Sequence, residues 1–341
     1  MKKSLASDNC SGVHPKILEY IVEINNGHCP AYGEDSYTSQ AVEEVKNYFG
    51  DVKAYFVYNG TGANVLALDA MKGKASSVIC ADTAHIFSDE TGAPSKITGM
   101  QLFPVQNING KLDLEAVKKY VSYKNSFHKP NPSIISISQT TETGTVYSLE
   151  EIKEIGKFAK ENGMLFHMDG ARISNAAVSL GCSFKEMTSD LGVDVLCLGG
   201  TKNGLMMGEV IVFFNEELAE NFLKLRKQDL QLNSKMRFLS AQFIPYLRNN
   251  IWYESAKNAN DMAKYLSEEL KKNGIVIVNK VEANTIFAIL PKQIIKPLQE
   301  FCHFHVWDED KNEVRFVTSF DIEKNDIDLF ISKLKSLTEG I

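Results

Sequence analysis

Phe166-His167-Met168-Asp169-Gly170-Ala171-Arg172 closes a mostly apolar run with an acid, two small residues and an arginine. The next apolar run, 194–198, leads straight into Gly199-Gly200-Thr201-Lys202-Asn203-Gly204. Each run has the length of a strand, and each is closed by glycine where the chain must turn. The same rhythm recurs outward from this point. Strands are expected at 54–58, 77–81, 133–138, 164–169, 194–198 and 209–214, and helices at 62–72, 113–123, 148–161 and 171–190. Ser148-Leu149-Glu150-Glu151 opens one helix with a capping-box pattern, and Gly163 closes it. Such alternation predicts an α/β fold with a mostly parallel sheet covered on both faces. Ligands of such sheets sit at the carboxyl ends of the strands, which is where Asp169 and Lys202 fall.

From about residue 215 the pattern changes to long helices, one of them near 252–273 and ended by Gly274. Strands are expected at 275–281, 285–290, 302–307 and 313–319, with a last helix near 323–337. Asp308-Glu309-Asp310-Lys311-Asn312 reads as a hairpin turn. This predicts a large unit, 1–247 with an N-terminal arm at 1–14, and a smaller C-terminal α/β unit, 248–341.

A chain of 341 residues has room for both. Its 44% apolar and 23% charged content is ordinary for a globular protein. A net charge of −6 argues against nucleic acid or an anionic membrane as partner. No apolar run approaches the ~20 residues of a membrane span, and the first residues lack the apolar stretch of a secretory signal. Cysteines 10, 29, 80, 182, 197 and 302 are scattered without a Cys-x-x-Cys, which predicts reduced thiols and a cytoplasmic location. His303 and His305 alternate along a strand and read as one polar face rather than a metal pair, so no metal is expected.

An acid at one strand end and a lysine in a glycine-rich turn after the next are what pyridoxal phosphate chemistry needs. The carboxylate keeps the ring nitrogen protonated, so that the ring can act as an electron sink, and the amine forms a Schiff base with the aldehyde. Asn59-Gly60-Thr61-Gly62-Ala63-Asn64 follows a strand and opens a helix. Its glycines and free N–H groups suit a phosphate, and Thr61 adds a hydroxyl. His85, just after a strand, could stack on an aromatic ring or serve as acid or base, and His128, in a loop, is a second base candidate. Arg315 has the guanidinium that grips a carboxylate.

Each of these has a plainer reading when taken alone. Asp169 could cap the following helix, Arg172 and Lys202 could be solvated charges, and the glycine turn could be only a turn. Arg315 could pair with Glu313. A nicotinamide site built on Gly60, Gly62 and Asp82 lacks its third glycine, since Val65 stands there, and gives Lys202 no role.

Taken together, the motifs resemble those of the threonine aldolases, within the aspartate-aminotransferase-like group of pyridoxal phosphate enzymes (fold type I). The resemblance runs through Ser7-Asp8-Asn9, Tyr32-Gly33-Glu34-Asp35, Asn59 to Asn64, His85, Asp169-Gly170-Ala171-Arg172, Thr201-Lys202 and Val314-Arg315-Phe316-Val317-Thr318. It implies a retro-aldol cleavage of β-hydroxy-α-amino acids to glycine and an aldehyde. Lys202 would carry pyridoxal 5'-phosphate with Thr201 beside it, Asp169 would pair with the ring nitrogen, and His85 would stack on the ring. Gly60, Thr61 and Gly62 would hold the phosphate. Ser7, Arg172 and Arg315 would grip the substrate carboxylate, and Arg172 would also border the cofactor. Lys235 and Arg237 match a stretch that reaches the neighbouring subunit's cofactor, which implies a homo-oligomer, a dimer often paired into a tetramer. Two features depart from the usual pattern: Gly199-Gly200-Thr201 precedes the lysine, and Gln139-Thr140 stands where many members have Glu-Asn. The rival readings are a β-eliminating lyase or aminotransferase of the same fold, and a catalytically silent binding protein.

Overall fold

The computed structural model describes residues 3–338; the first two and last three residues, and with them the tips of the expected arm and C-terminal unit, lie outside the described residues. Seven strands form the main sheet: β1 (Lys53–Val57), β2 (Ser76–Ala81), β3 (Gln101–Val105), β4 (Asn131–Ser138), β5 (Leu165–Gly170), β6 (Val195–Gly199) and β7 (Glu209–Phe213). Their spatial order is β1-β7-β6-β5-β4-β2-β3. Neighbours are parallel except at β7, which runs antiparallel to both β1 and β6.

The sheet is sandwiched because its strands are apolar on both faces. Along β6 and β7, Leu196, Leu198, Val210 and Val212 join one buried cluster, while Val195, Cys197, Ile211 and Phe213 join the other. Period-two alternation sends successive side chains to opposite faces, so a strand with no polar face must be covered twice. The fold is therefore α/β with a mostly parallel sheet, as expected.

A second, antiparallel sheet follows: β8 (Val276–Ile277), β9 (Thr285–Ile289), β10 (His305–Asp308) and β11 (Glu313–Val317), in the order β8-β9-β11-β10. The hairpin expected at 308–312 joins β10 to β11, with Asn312 at φ 53°. A third apolar cluster lies beneath this sheet. The helix Ile251–Lys272 bridges the clusters, placing Ile251 and Trp252 in the first and Ala263, Leu266 and Leu270 in the third. Leu5 of the N-terminal arm also belongs to the third cluster, and its backbone bonds His303 and Val317. The start of the arm is thus stitched to the C-terminal sheet.

Several expectations need correction. The helix expected at 171–190 covers only Ile173–Leu180, because Gly181 turns left-handed and stops it. The long helices expected from 215 are three short ones, Phe222–Gln228, Arg237–Ser240 and Phe243–Arg248, before the single long one. Leu230 and Asn250, both at positive φ, break the run. The strand expected at 275–281 shrinks to Val276–Ile277, and that at 302–307 begins at His305. The helix Lys292–Phe301 was not anticipated, since Pro297 inside it argues against a helix. Strand β3 and the helix Ser36–Phe49 were not anticipated either. Among the described residues no helix is long and apolar enough to cross a membrane.

Candidate active site

The parallel strands end together. Ser138 of β4 lies in register with Asp169 of β5, and Asp169 with Cys197 of β6. The segments that leave these ends carry Glu142, Arg172 and Lys202, so the topology gathers three distant stretches at one edge. The strand ends pack tightly. A Cβ on Gly170 would lie 2.7 Å from the Cys197 carbonyl oxygen, and one on Gly199 2.4 Å from that of Ala171. A Cβ on Gly200 would meet the Gly208 carbonyl at 2.8 Å. The unusual Gly-Gly before Thr201-Lys202 thus has a steric cause: no side chain fits.

Asp169 is buried and fixed from two sides. Its Oδ1 accepts from the Ala171 N–H and its Oδ2 from Asn64 Nδ2, each at 2.9 Å. Asn64 sits one turn into the helix Gly60–Ala70, whose first turn is the glycine motif, so one helix joins the phosphate cradle to the carboxylate. Asn59 caps that helix through the Gly62 N–H at 2.7 Å. The N–H groups of Gly60 and Thr61 have no acceptor within the helix, and a Cβ on Gly60 would meet nothing within 4 Å. Gln231 stands over Gly62 and accepts from the Tyr58 N–H at 3.0 Å. Asp229 shares the cavity of about 340 Å³ that opens here. Burial, then the Asp69 charge, pushes its carboxyl up, which softens the repulsion an anion would meet.

Lys202 is half-buried in the turn Thr201–Asn203, and makes no hydrogen bond or ion pair with any described residue. Burial, then the Arg172 charge, lowers its pKa against the opposing pull of Asp8, Asp169 and Glu209. That suits an amine that must react unprotonated. Thr201 bonds the turn itself, accepting from the Gly208 N–H at 3.0 Å.

His85 Nδ1 lies 2.9 Å from Glu90 Oε1. This hydrogen bond, opposed by burial, raises the imidazole pKa. The His85 N–H donates to Glu142, which also accepts from the Ser138 hydroxyl at 2.7 Å. Burial pushes both the Glu90 and Glu142 carboxyls up.

Arg172 is held in a fork by Asp8, Nε to Oδ2 at 2.6 Å and Nη2 to Oδ1 at 2.9 Å. Although burial would raise the Asp8 carboxyl, Arg172, Lys202 and Asn284 together hold it below the usual range. Ser7 lies beside it and caps the short turn Asp8–Cys10. Arg315 on β11 is stacked over the Trp307 ring at 5.1 Å, and its Nε has no partner. Burial and the Arg172 charge lower its pKa. Arg172 is thus neutralised by Asp8, while Arg315 Nε and the Lys202 amine keep no hydrogen-bonding partner among the described residues and are suited to a phosphate or carboxylate ligand.

The remaining expected residues lie apart within one chain. His128 is exposed in the loop before β4, with its ring against Phe127. The eight residues of β4 separate it from the site edge, roughly 25 Å at strand rise. A role as base at its own chain's site is ruled out by that distance. Lys235 and Arg237 line a groove with 27–31, where Arg237 Nη1 donates to the Asn26 and Gly27 carbonyls. Neither bonds any group around Lys202. A larger cleft of about 500 Å³ between the two sheets' surroundings is lined by Lys111, Glu151, Lys280 and Glu282. Lys111 pairs with Glu151 and Lys280 with Glu282 there, and none of the groups around Lys202 lines it.

Asp8, Asn64, Glu90, Glu142 and Asn284 are site residues that the motifs did not announce. Only Asp8 and Asn64 lay inside quoted motifs, where adjacency to Ser7 and to the glycine turn was the available signal.

Comparison with known proteins agrees with this geometry. Residues 4–293 match the model of the beta-eliminating lyase family. A low specificity L-threonine aldolase of Pseudomonas aeruginosa is 42% identical over 300 residues, 87% of each chain. One from a Pseudomonas species is 39% identical over 326 residues, 94% of each. The Leishmania major threonine aldolase structure superposes with a TM-score of 0.92 at 29% identity, over 98% of this chain and 99% of that one.

Proposed function

The chain belongs to the beta-eliminating lyase family, and on that premise we propose that it cleaves threonine, allo-threonine or a related β-hydroxy-α-amino acid to glycine and an aldehyde, with pyridoxal 5'-phosphate as cofactor. The observation that carries this reading is the unpaired Lys202 amine, set among Asp169, Arg172 and Arg315 beside an anion-receptive helix start. A silent binding protein has no use for a desolvated, partnerless lysine there.

The residues fit the cofactor. Lys202 would hold its aldehyde, Gly60, Thr61 and Gly62 its phosphate, and Asp169 its ring nitrogen. Once bound, it supplies an electron sink for the pair left by the breaking Cα–Cβ bond. Asp169, oriented by Asn64 and the Ala171 N–H, would keep a proton on the ring nitrogen. Arg315, with Arg172 and Ser7, would fix the substrate carboxylate and so orient the scissile bond for cleavage. His85, whose Nδ1 is engaged by Glu90, is left with Nε2 to take the β-hydroxyl proton.

His128, Lys235 and Arg237 can serve a site only if another copy of the chain brings them to it. That supports a homo-oligomer with shared sites. The exposed Phe127 and Leu230, beside these segments, fit such an interface. The six cysteines are free thiols, which supports the cytoplasm as its compartment.

Incubation of the purified protein with threonine and cofactor tests the proposal. Glycine and acetaldehyde are expected, together with borohydride fixation of the cofactor on Lys202 and loss of both in Lys202→Ala. Ammonia and an oxo acid would instead assign β-elimination or amino transfer.

A further inference from the structure

β7 is buried at every position, yet it opens with a carboxylic acid, Glu209. A buried acid in an apolar strand is costly unless something engages it. Here its Oε2 accepts the Gly200 N–H at 2.8 Å, the amide two residues before Lys202. Its backbone is in register with Gly199 on one side and Val57 on the other. The carboxyl group therefore lies beneath the turn Gly199–Lys202, at the place where Gly199 and Gly200 leave no room for side chains. Thr201 bonds the next residue of the same hairpin, Gly208, so the turn is tied at two successive points.

We propose that Glu209 is a positioning residue for Lys202: its carboxyl group clamps the lysine turn through Gly200 and adds to the buried negative charge around the lysine amine. The inference rests on the reading of Lys202 as the cofactor amine, but concerns a residue with no place in that chemistry. The ionisable groups facing Glu209 are Lys202 from the turn, Asp169 from β5, Cys197 from β6 and Tyr246 from the helix Phe243–Arg248. Burial keeps Cys197 and Tyr246 neutral, raising the thiol well above its usual value and pushing the phenol up to about 12. Burial also raises Glu209 to about 7, against the hydrogen bonds from Gly200 and Thr201 and the charge of Lys202. The clamp thus gains charge near neutral pH, where Lys202 must lose it. The same negative charge raises Lys202, partly offsetting burial and Arg172.

The test needs no cofactor. Reductive methylation of Lys202 is followed against pH in the cofactor-free protein by mass spectrometry. In Glu209→Gln, which keeps an acceptor for Gly200 but no charge, the midpoint is expected to fall below that of wild type. Glu209→Asp, which keeps the charge, should hold it near wild type. An unshifted midpoint in Glu209→Gln overturns the proposal. Should that variant not fold, linkage is read from the other side: the carbon-13 signal of the Glu209 carboxyl should titrate at higher pH in Lys202→Met than in wild type, and an equal midpoint overturns it. Borohydride fixation of the cofactor on wild-type Lys202 is scored separately, so failure of the functional reading leaves these outcomes readable.

Discussion

Glu90 Oε1 lies 2.9 Å from His85 Nδ1 and accepts from Asn64 Nδ2 at the same distance, while that amide nitrogen also donates to Asp169. One asparagine thus ties the acid–imidazole pair to the carboxylate expected at the ring nitrogen. The carboxylate assigns the hydrogen of His85 to Nδ1 and leaves Nε2 as the basic atom.

Glu90→Gln should weaken both roles. The hydrogen bond to Glu90 is the largest influence raising the His85 pKa, so its loss lowers that pKa. If neutral His85 is the base, the acid limb of the kcat/KM profile moves to lower pH, and kcat falls at least about tenfold. His85→Asn should lose about 10²-fold or more. An unmoved acid limb in Glu90→Gln would remove His85 from the base role.

Asp8→Asn should destabilise the fold by about 3 kcal/mol, because it leaves the Arg172 guanidinium without its counter-charge. The native Asp8 carboxyl is held below its ordinary value of 3.8, so the stability it contributes is present above that pH and is lost as pH falls through the lowered native value. Denaturant melts of wild type and Asp8→Asn should converge as the pH drops below about 4. A constant gap between them down to pH 2 would contradict the linkage.

Two glycines should separate folding from binding. Gly199→Ala forces a Cβ to within 2.4 Å of a backbone oxygen, and should cost about 1–3 kcal/mol in a thermal or denaturant melt. Gly60→Ala meets open space and should melt like wild type, while binding the cofactor more weakly because a methyl group intrudes on the phosphate approach. Equal cofactor affinity in Gly60→Ala would move the phosphate elsewhere.

Arg315→Ala should raise KM for the amino acid by about 10–100-fold through the loss of a carboxylate contact, while the cofactor's visible absorbance and the melting temperature stay near wild type. A change in cofactor binding alone, with KM unmoved, would reassign Arg315 away from the substrate.

In the sequence His85, just after a strand, stands only slightly ahead of His128, in a loop, as the base candidate. The structure separates them by the length of β4: one lies at the carboxyl edge of the sheet and the other before its amino edge. If His128→Asn abolishes cleavage, the residue acts from a neighbouring copy. Activity restored by mixing His128→Asn with Lys202→Ala subunits would show it directly.

The local pattern of apolar runs and glycines was enough to place β1, β2 and β4 to β7, the capping box at Ser148, and the pairing of Asp169 with Lys202 on adjacent strand ends. The strands and the cap depend on residues within a few positions of one another, where periodicity and backbone sterics act, and the Asp169–Lys202 pair was read from residue type at two successive strand ends. The shortened helix after Arg172 and the kinked passage through Leu230 and Asn250 were not legible, because they turn on single backbone conformations. Nor were the partners of the site. Asp8 reaches Arg172 across 164 positions, and Asn284 reaches Asp8 across 276. Glu209 merely opens an expected strand in the sequence; β7 running antiparallel beside β6 puts its carboxyl against the Gly200 N–H. The sequence by itself determined the strand and helix rhythm and the chemical types at the strand ends. Only the tertiary structure decided which buried charges face one another, because desolvation and Coulomb energy depend on distances that chain order does not encode.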